Sequence, residues 1–160
     1  FLKELYMEAQ DKLKVLTKIA KELNKQQIIW AVGASLLLFF KGITNTFNDI
    51  DIMVTENDIE KVKKILSSFG TYSKPVPNKQ YKTKYFLEYQ IENVEFDIMA
   101  GFTIINNGIE YYFPLNKSEV CDFIIINETK IPLQSLNQWK EFYSLMGRDE
   151  KVQMIENRLK

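Results

Sequence analysis

The chain has 160 residues, 46% of them hydrophobic and 26% charged, with 21 basic side chains balanced by 21 acidic ones. That is enough apolar material for one domain with its own core, residues 1–160, and it excludes intrinsic disorder as well as a general positive field that would hold nucleic acid or an anionic bilayer. Histidine is absent, which removes serine–histidine and cysteine–histidine nucleophile systems and histidine zinc sites, and leaves carboxylates to carry any catalysis.

Leu2, Leu5, Tyr6, Ala9, Leu13, Leu16, Ala20 and Leu23 recur at three- and four-residue spacing and predict an opening amphipathic helix. Phe1 to Glu4 do not read as a signal peptide. The longest apolar tract, Leu36 to Phe40, falls far short of the ~18 residues that span a bilayer, so a soluble, cytoplasmic protein without membrane contact is expected. Ile28 to Val32 reads as a short strand that runs through the turn Gly33-Ala34-Ser35 into a helix over Leu36 to Phe40. Asp49 to Val54 alternates as a strand, Thr55 offers an N-cap, and Ile59, Val62, Leu66 and Phe69 give a helix ended by Gly70.

From Thr71 to about Ile131 the pattern is that of a sheet. A tyrosine-rich strand is expected over Tyr81 to Tyr89, another over Val94 to Met99, and a hairpin turning at Asn107-Gly108. Phe123 to Ile126 and Ile131 to Leu133 supply two more short strands, with the lone Cys121 expected as a small core residue beside them. Leu136, Trp139, Phe142, Tyr143 and Met146 form the stripe of a further helix, Gly147 breaks it, and Asp149 is placed to cap a last one. A single cysteine forms no internal disulfide, which fits a reducing compartment.

The chemistry gathers on two strands. Asp49 and Asp51 project from one face about 6.5 to 7 Å apart, and Glu95 and Asp97 repeat the arrangement. If those strands are neighbours, three or four acids share one patch, an unfavourable concentration of charge unless a cation sits there. Oxygen-only ligands suit Mg²⁺ or Mn²⁺. Taken alone, D-x-D and E-x-D also describe the solvated faces of half-exposed strands, and Gly33-Ala34-Ser35 also describes an ordinary turn. A turn that aims backbone N–H groups and a hydroxyl at a phosphate, followed closely by a metal-binding acid pair, points to nucleotide chemistry.

Gly33-Ala34-Ser35, Asp49-Ile50-Asp51 and the later Asp97 together resemble the nucleotidyltransferase superfamily of DNA polymerase β, in particular small bacterial members related to the lincosamide and aminoglycoside nucleotidyltransferases. The resemblance implies an α/β (α+β) fold with a mixed sheet flanked by helices and a C-terminal helix pair. It implies Mg²⁺ or Mn²⁺ held by Asp49, Asp51 and Asp97, and ATP or another nucleoside triphosphate contacted by Gly33, Ala34, Ser35, Lys140 and Arg148. The activity implied is transfer of a nucleoside monophosphate, AMP first among them, to a hydroxyl on a small molecule or a protein. Ala34 replaces the commoner glycine or serine, and Asn45 and Phe47 stand where many relatives carry a basic residue and a threonine. Lys41 is the candidate substitute, and Lys140 and Arg148 also read as surface charges. Two other readings remain at this point: a catalytically weak, antitoxin-like binding module, and a metal-dependent phosphohydrolase. Two arginines and scattered lysines give no basic track for a nucleic acid.

Overall fold

The computed structural model describes residues 1–160. Helix α1 (Leu2–Lys25) buries Leu13, Leu16, Ile19, Ala20 and Leu23 along one stripe. It is followed by β1 (Trp30–Gly33), α2 (Ala34–Phe40), β2 (Ile50–Val54) and α3 (Ile59–Ser67). The sheet-forming half contains β3 (Thr71–Ser73), β4 (Tyr85–Ile91), β5 (Val94–Ala100), β6 (Phe102–Asn106), β7 (Ile109–Phe113), β8 (Asp122–Ile126) and β9 (Thr129–Leu133). Helices α4 (Leu136–Leu145) and α5 (Asp149–Leu159) close the chain.

Seven strands form one mixed sheet in the order β3-β4-β5-β2-β1-β9-β8, and β6 and β7 pair as a separate hairpin. Most neighbours are antiparallel, but β2 runs parallel to β5 and β1 parallel to β9. Alternation sends Ile50, Ile52, Phe96 and Ile98 into the core on one face, where α1 and α3 pack. The acids emerge on the other face, under α4, α5 and the β6–β7 hairpin. Asn107 and Gly108 both take positive φ (51° and 77°), as a tight two-residue hairpin requires.

Several expectations fail for local reasons. Tyr81 to Lys84 are not strand: Tyr81 makes only an isolated bridge to Ile104, and the ladder begins at Tyr85. The exposed strand β3 lacks any apolar alternation that would have announced it. The Thr55 hydroxyl donates to Asp58 Oδ2 at 3.2 Å and caps no backbone N–H, because a 3₁₀ turn over Glu56–Asp58 precedes the helix. Asp149 is already the first residue of α5 and so does not cap it; Arg148 occupies that position. Cys121 is exposed, just before β8, and is no core residue. The capping box that starts α4, in which the Ser135 hydroxyl accepts from Gln138 N–H and Gln138 Oε1 accepts from Ser135 N–H, is written in the sequence as Ser135-x-x-Gln138.

Candidate active site

The parallel pairing of β2 with β5 sets Asp51 directly beside Asp97 and Met53 beside Met99. Antiparallel pairing of β4 with β5 adds Glu88 across from Asp97 and Phe86 across from Met99, and β1 brings Gly33 opposite Asp51. One carboxylate oxygen each from Asp49, Glu95 and Asp97 lies within 4.8 Å of the others. Asp97 is buried, and its Oδ1 has no hydrogen-bond partner.

This crowding perturbs the acids strongly. Burial first, then the charges of Asp49 and Glu95, push the Asp51 carboxyl up from 3.8 to about 8. Burial, followed by Asp51 and Glu95, pushes Asp97 up to about 9. Glu95 is raised as well, chiefly by burial. Such a cluster holds protons that a positive ion would displace, and its donors are all hard oxygens. The orphaned Oδ1 of Asp97 and the oxygen-only donor set therefore fit a small divalent cation.

Beside the acids, the chain leaves β1 at Gly33 and enters α2 with Ala34 at φ +51°, a left-handed conformation that costs an alanine about 1 kcal/mol. The Ser35 hydroxyl accepts a hydrogen bond from Asn48 N–H at 3.2 Å. Its acceptor side thus fastens the turn to the loop before Asp49, and its own proton stays free for a phosphate oxygen. Gly33 has a second reason to be glycine: a Cβ there would fall 2.5 Å from both Gln134 Oε1 and Trp139 Nε1. Those two side chains are themselves joined, Trp139 Nε1–H donating to Gln134 Oε1 at 2.8 Å, so α4 lies directly against the turn.

The resulting cleft encloses about 290 Å³ between Ser35 and the acids on one side and Tyr81, Trp139, Tyr143 and Arg148 on the other. Gly147, at φ +76°, turns α4 into α5 and brings Arg148 and Lys151 to the mouth. The Arg148 guanidinium stands 5.5 Å from the Tyr143 ring centre. Burial raises the Tyr81 and Tyr143 phenols, so both remain protonated and face the cleft as neutral groups.

The profile of the aminoglycoside-2''-adenylyltransferase family matches residues 15–157. The chain belongs to that family. Among solved structures it is similar to the candidate nucleotidyltransferase TM1012 of Thermotoga maritima, at 25% identity and a TM-score of 0.74, covering 94% of this chain and 93% of that one. It also shares the fold of ANT(2'')-Ia in complex with adenylyl-2''-tobramycin, at 10% identity and a TM-score of 0.64 over 94% and 90% of the two chains. The same holds for the lincomycin-bound lincosamide antibiotic adenylyltransferase LnuA, at 19% identity and a TM-score of 0.59 over 89% and 95%. No curated protein matches the sequence. As a member of this adenylyltransferase family, and with this fold, the protein is a nucleotidyltransferase.

In this family member, Gly33, Ala34, Ser35, Asp49, Asp51, Asp97 and Arg148 come together at one cleft. Lys140 does not join them. It points away and reaches Glu156 at 4.0 Å. Lys41 is also elsewhere, paired with Asp122. Glu95, outside the family pattern, lies inside the acid cluster. Two lysines escaped the sequence reading. Lys151 is one turn beyond Arg148, a spacing that puts both on one helix face. Lys12 of α1 donates to the carbonyls of Phe47 and Asn48 at 3.2 Å each and so holds the loop before Asp49. Phe47 is buried against Phe39, with ring centres 5.0 Å apart, and Asn45 is exposed. A lysine 36 residues before Asn48 in the chain gives no local signal of that contact.

Proposed function

We propose that this protein acts as a single domain that transfers AMP from ATP to a hydroxyl group of a small molecule, in the reducing cytoplasm, using a divalent cation held by Asp49, Asp51 and Asp97 with Glu95 beside them. The observation that carries the reading is the convergence of these acids beside a turn whose Ala34 and Ser35 line the same cleft. Mg²⁺ or Mn²⁺ bound there would neutralise the acids and offset the charge that builds on the phosphates during transfer.

The chain's own residues then divide the work. Ser35 O–H, with Arg148 and Lys151 across the cleft, binds and orients the triphosphate. Asp97 accepts the proton of the acceptor hydroxyl. The hydroxyl oxygen forms a new bond to the α-phosphorus, the bond from that phosphorus to the bridging oxygen breaks, and pyrophosphate departs with its electron pair. Trp139 and Tyr143 wall the site and exclude water that would compete as acceptor.

A small-molecule acceptor is supported by the relatives, of which one was solved with an adenylylated antibiotic and another with a bound one. Balanced charge argues against a polynucleotide, and no helix is long and apolar enough to cross a membrane. Incubation with ATP labelled at the α-phosphate, Mg²⁺ and a panel of hydroxyl compounds tests the reading. Label moving to an acceptor with matching pyrophosphate release is the expected result; phosphate release from simple esters without any acceptor would favour a hydrolase instead.

A further inference from the structure

Four carboxylates crowd the site, and the fold holds three of them in a different way from the fourth. Asp51, Glu95 and Asp97 lie within paired strands, where the ladder fixes the backbone. Asp49 stands one residue before β2, at the end of the loop that leaves α2. No backbone–backbone hydrogen bond ties residues 44–48 to the rest of the molecule. Side chains must therefore hold that loop. The Phe47 ring packs on Phe39, the Ser35 hydroxyl accepts from Asn48 N–H, and the Lys12 ammonium donates to the carbonyls of both Phe47 and Asn48.

We infer that Lys12 is a positioning residue for nucleotidyl transfer: by clamping two consecutive carbonyls of this loop, its ammonium sets where Asp49 presents its carboxylate to the cation. The inference rests on the transferase reading above and adds to it a residue of the opening helix that does not line the cleft.

The contact is built to hold. The Lys12 side chain is only 20% exposed, and its three N–H groups meet three acceptors: Phe47 O and Asn48 O at 3.2 Å each and Glu8 Oε1 at 3.3 Å. Bonds from an ionised donor are roughly twice as strong as neutral ones. The ammonium also stands 5.2 Å from the Phe47 ring centre, within cation–π range. Its base is firm, because α1 is anchored on either side of Lys12 by the buried Ala9, Leu13 and Leu16. Asn48 links this clamp to the phosphate side of the site. It gives its carbonyl to Lys12 and its N–H to Ser35 Oγ at 3.2 Å, so a single loop residue joins the metal ligand to the Gly33-Ala34-Ser35 turn.

The sign of the effect separates position from charge. A lysine acting only through its positive charge would repel a cation held by the acids, and its removal would tighten metal binding. A lysine that positions Asp49 does the reverse, since its removal frees the ligand's loop. Groups that orient metal ligands are worth about 10–100-fold in metal affinity or activity.

The test uses the full chain with Lys12→Met, which keeps the aliphatic stem and removes the ammonium, and with Lys12→Arg, which restores a cation able to reach two carbonyls. Hydrogen exchange at Asn48 N–H is read by NMR in chelated buffer, and Mn²⁺ affinity is read without nucleotide, with urea unfolding as the check that each variant is folded. Lys12→Met is expected to speed exchange at Asn48 and to weaken Mn²⁺ binding at least about tenfold, and Lys12→Arg to recover most of both losses. If Lys12→Met does not fold, Lys12→Gln carries the same comparison, because its shorter amide cannot reach both carbonyls. Unchanged or tighter Mn²⁺ binding, unchanged exchange at Asn48, or a loss that Lys12→Arg does not recover would each overturn the inference. The parent protein separates the two readings: if it binds no Mn²⁺, the transferase reading falls and takes the role of Lys12 with it, whereas Mn²⁺ binding that survives Lys12→Met refutes the role of Lys12 alone.

Discussion

Replacing Asp97 with asparagine should make the ion-free protein more stable while destroying its activity. In the folded chain the Asp97 carboxyl is raised from 3.8 to about 9, first by burial and then by Asp51 and Glu95. Below pH ~3.8 folded and unfolded chains both hold the proton and the group costs nothing. As pH rises further, the unfolded chain releases the proton and the folded one retains it, so stability falls by ~1.4 kcal/mol per pH unit until the folded value is passed. At pH 7 the ceiling is about 4 kcal/mol, and relaxation with some water entry should leave roughly half of it. Asparagine has the same shape, carries no charge at any pH, and its amide can donate to Asp51. In a chelated buffer at pH 7, Asp97→Asn should therefore raise Tm by roughly 4–8 °C, the shift that ~2 kcal/mol produces in a chain of this size. The gain should shrink toward zero near pH 4. Mg²⁺ should raise the Tm of the parent protein and leave that of the variant nearly unchanged. A variant less stable than its parent at pH 7 without metal, or a gain that does not vary with pH, would refute the electrostatic account of this cluster.

Asp51→Asn should lower AMP transfer by at least about a hundredfold in a labelled-ATP assay, since it removes a charged ligand worth several kcal/mol in the transition state. Ser35→Ala should weaken triphosphate binding by ~1–3 kcal/mol in calorimetry, with little effect on Mn²⁺ affinity measured without nucleotide. Gly33→Ala should lower stability in urea by ~1–3 kcal/mol or more, because the new methyl group meets Trp139 and Gln134 at 2.5 Å. Ala34→Gly should do the opposite, by up to about 1 kcal/mol, as the left-handed φ is relieved.

Much of this site was legible in the chain because its signals are local. The period-two alternation of Asp49 to Val54 and Val94 to Met99 placed each acid on a face, and the Gly-Ala-Ser turn followed from a strand feeding a helix. What remained conditional was whether the two strands are neighbours. Their parallel pairing, Asp51 beside Asp97, is a long-range fact no local pattern encodes. The misses share that cause. Lys12 reaches the Asn48 loop from a helix 36 residues earlier, and Lys140 was assigned by likeness to relatives although helix geometry turns it toward Glu156. Gly33 was read as part of a turn whose backbone holds a phosphate, yet its missing side chain is also required by a tryptophan more than a hundred residues later. Cys121 was placed in the core by its apolar neighbours, but β8 is an edge strand that leaves Phe123 and Ile125 exposed. Tyr81 left the ladder because the segment before Tyr85 turns toward Ile104 and helps wall the cleft.

The most direct measurement of the proposed chemistry is anomalous diffraction from crystals of this protein grown with Mn²⁺ and a non-hydrolysable ATP analogue. A manganese peak within about 2.0–2.3 Å of carboxylate oxygens from Asp49, Asp51 and Asp97, with the analogue's phosphates against Ser35 and Arg148, is the expected result. Nucleotide density elsewhere on the surface, or manganese absent from these three acids at saturating concentration, would contradict it.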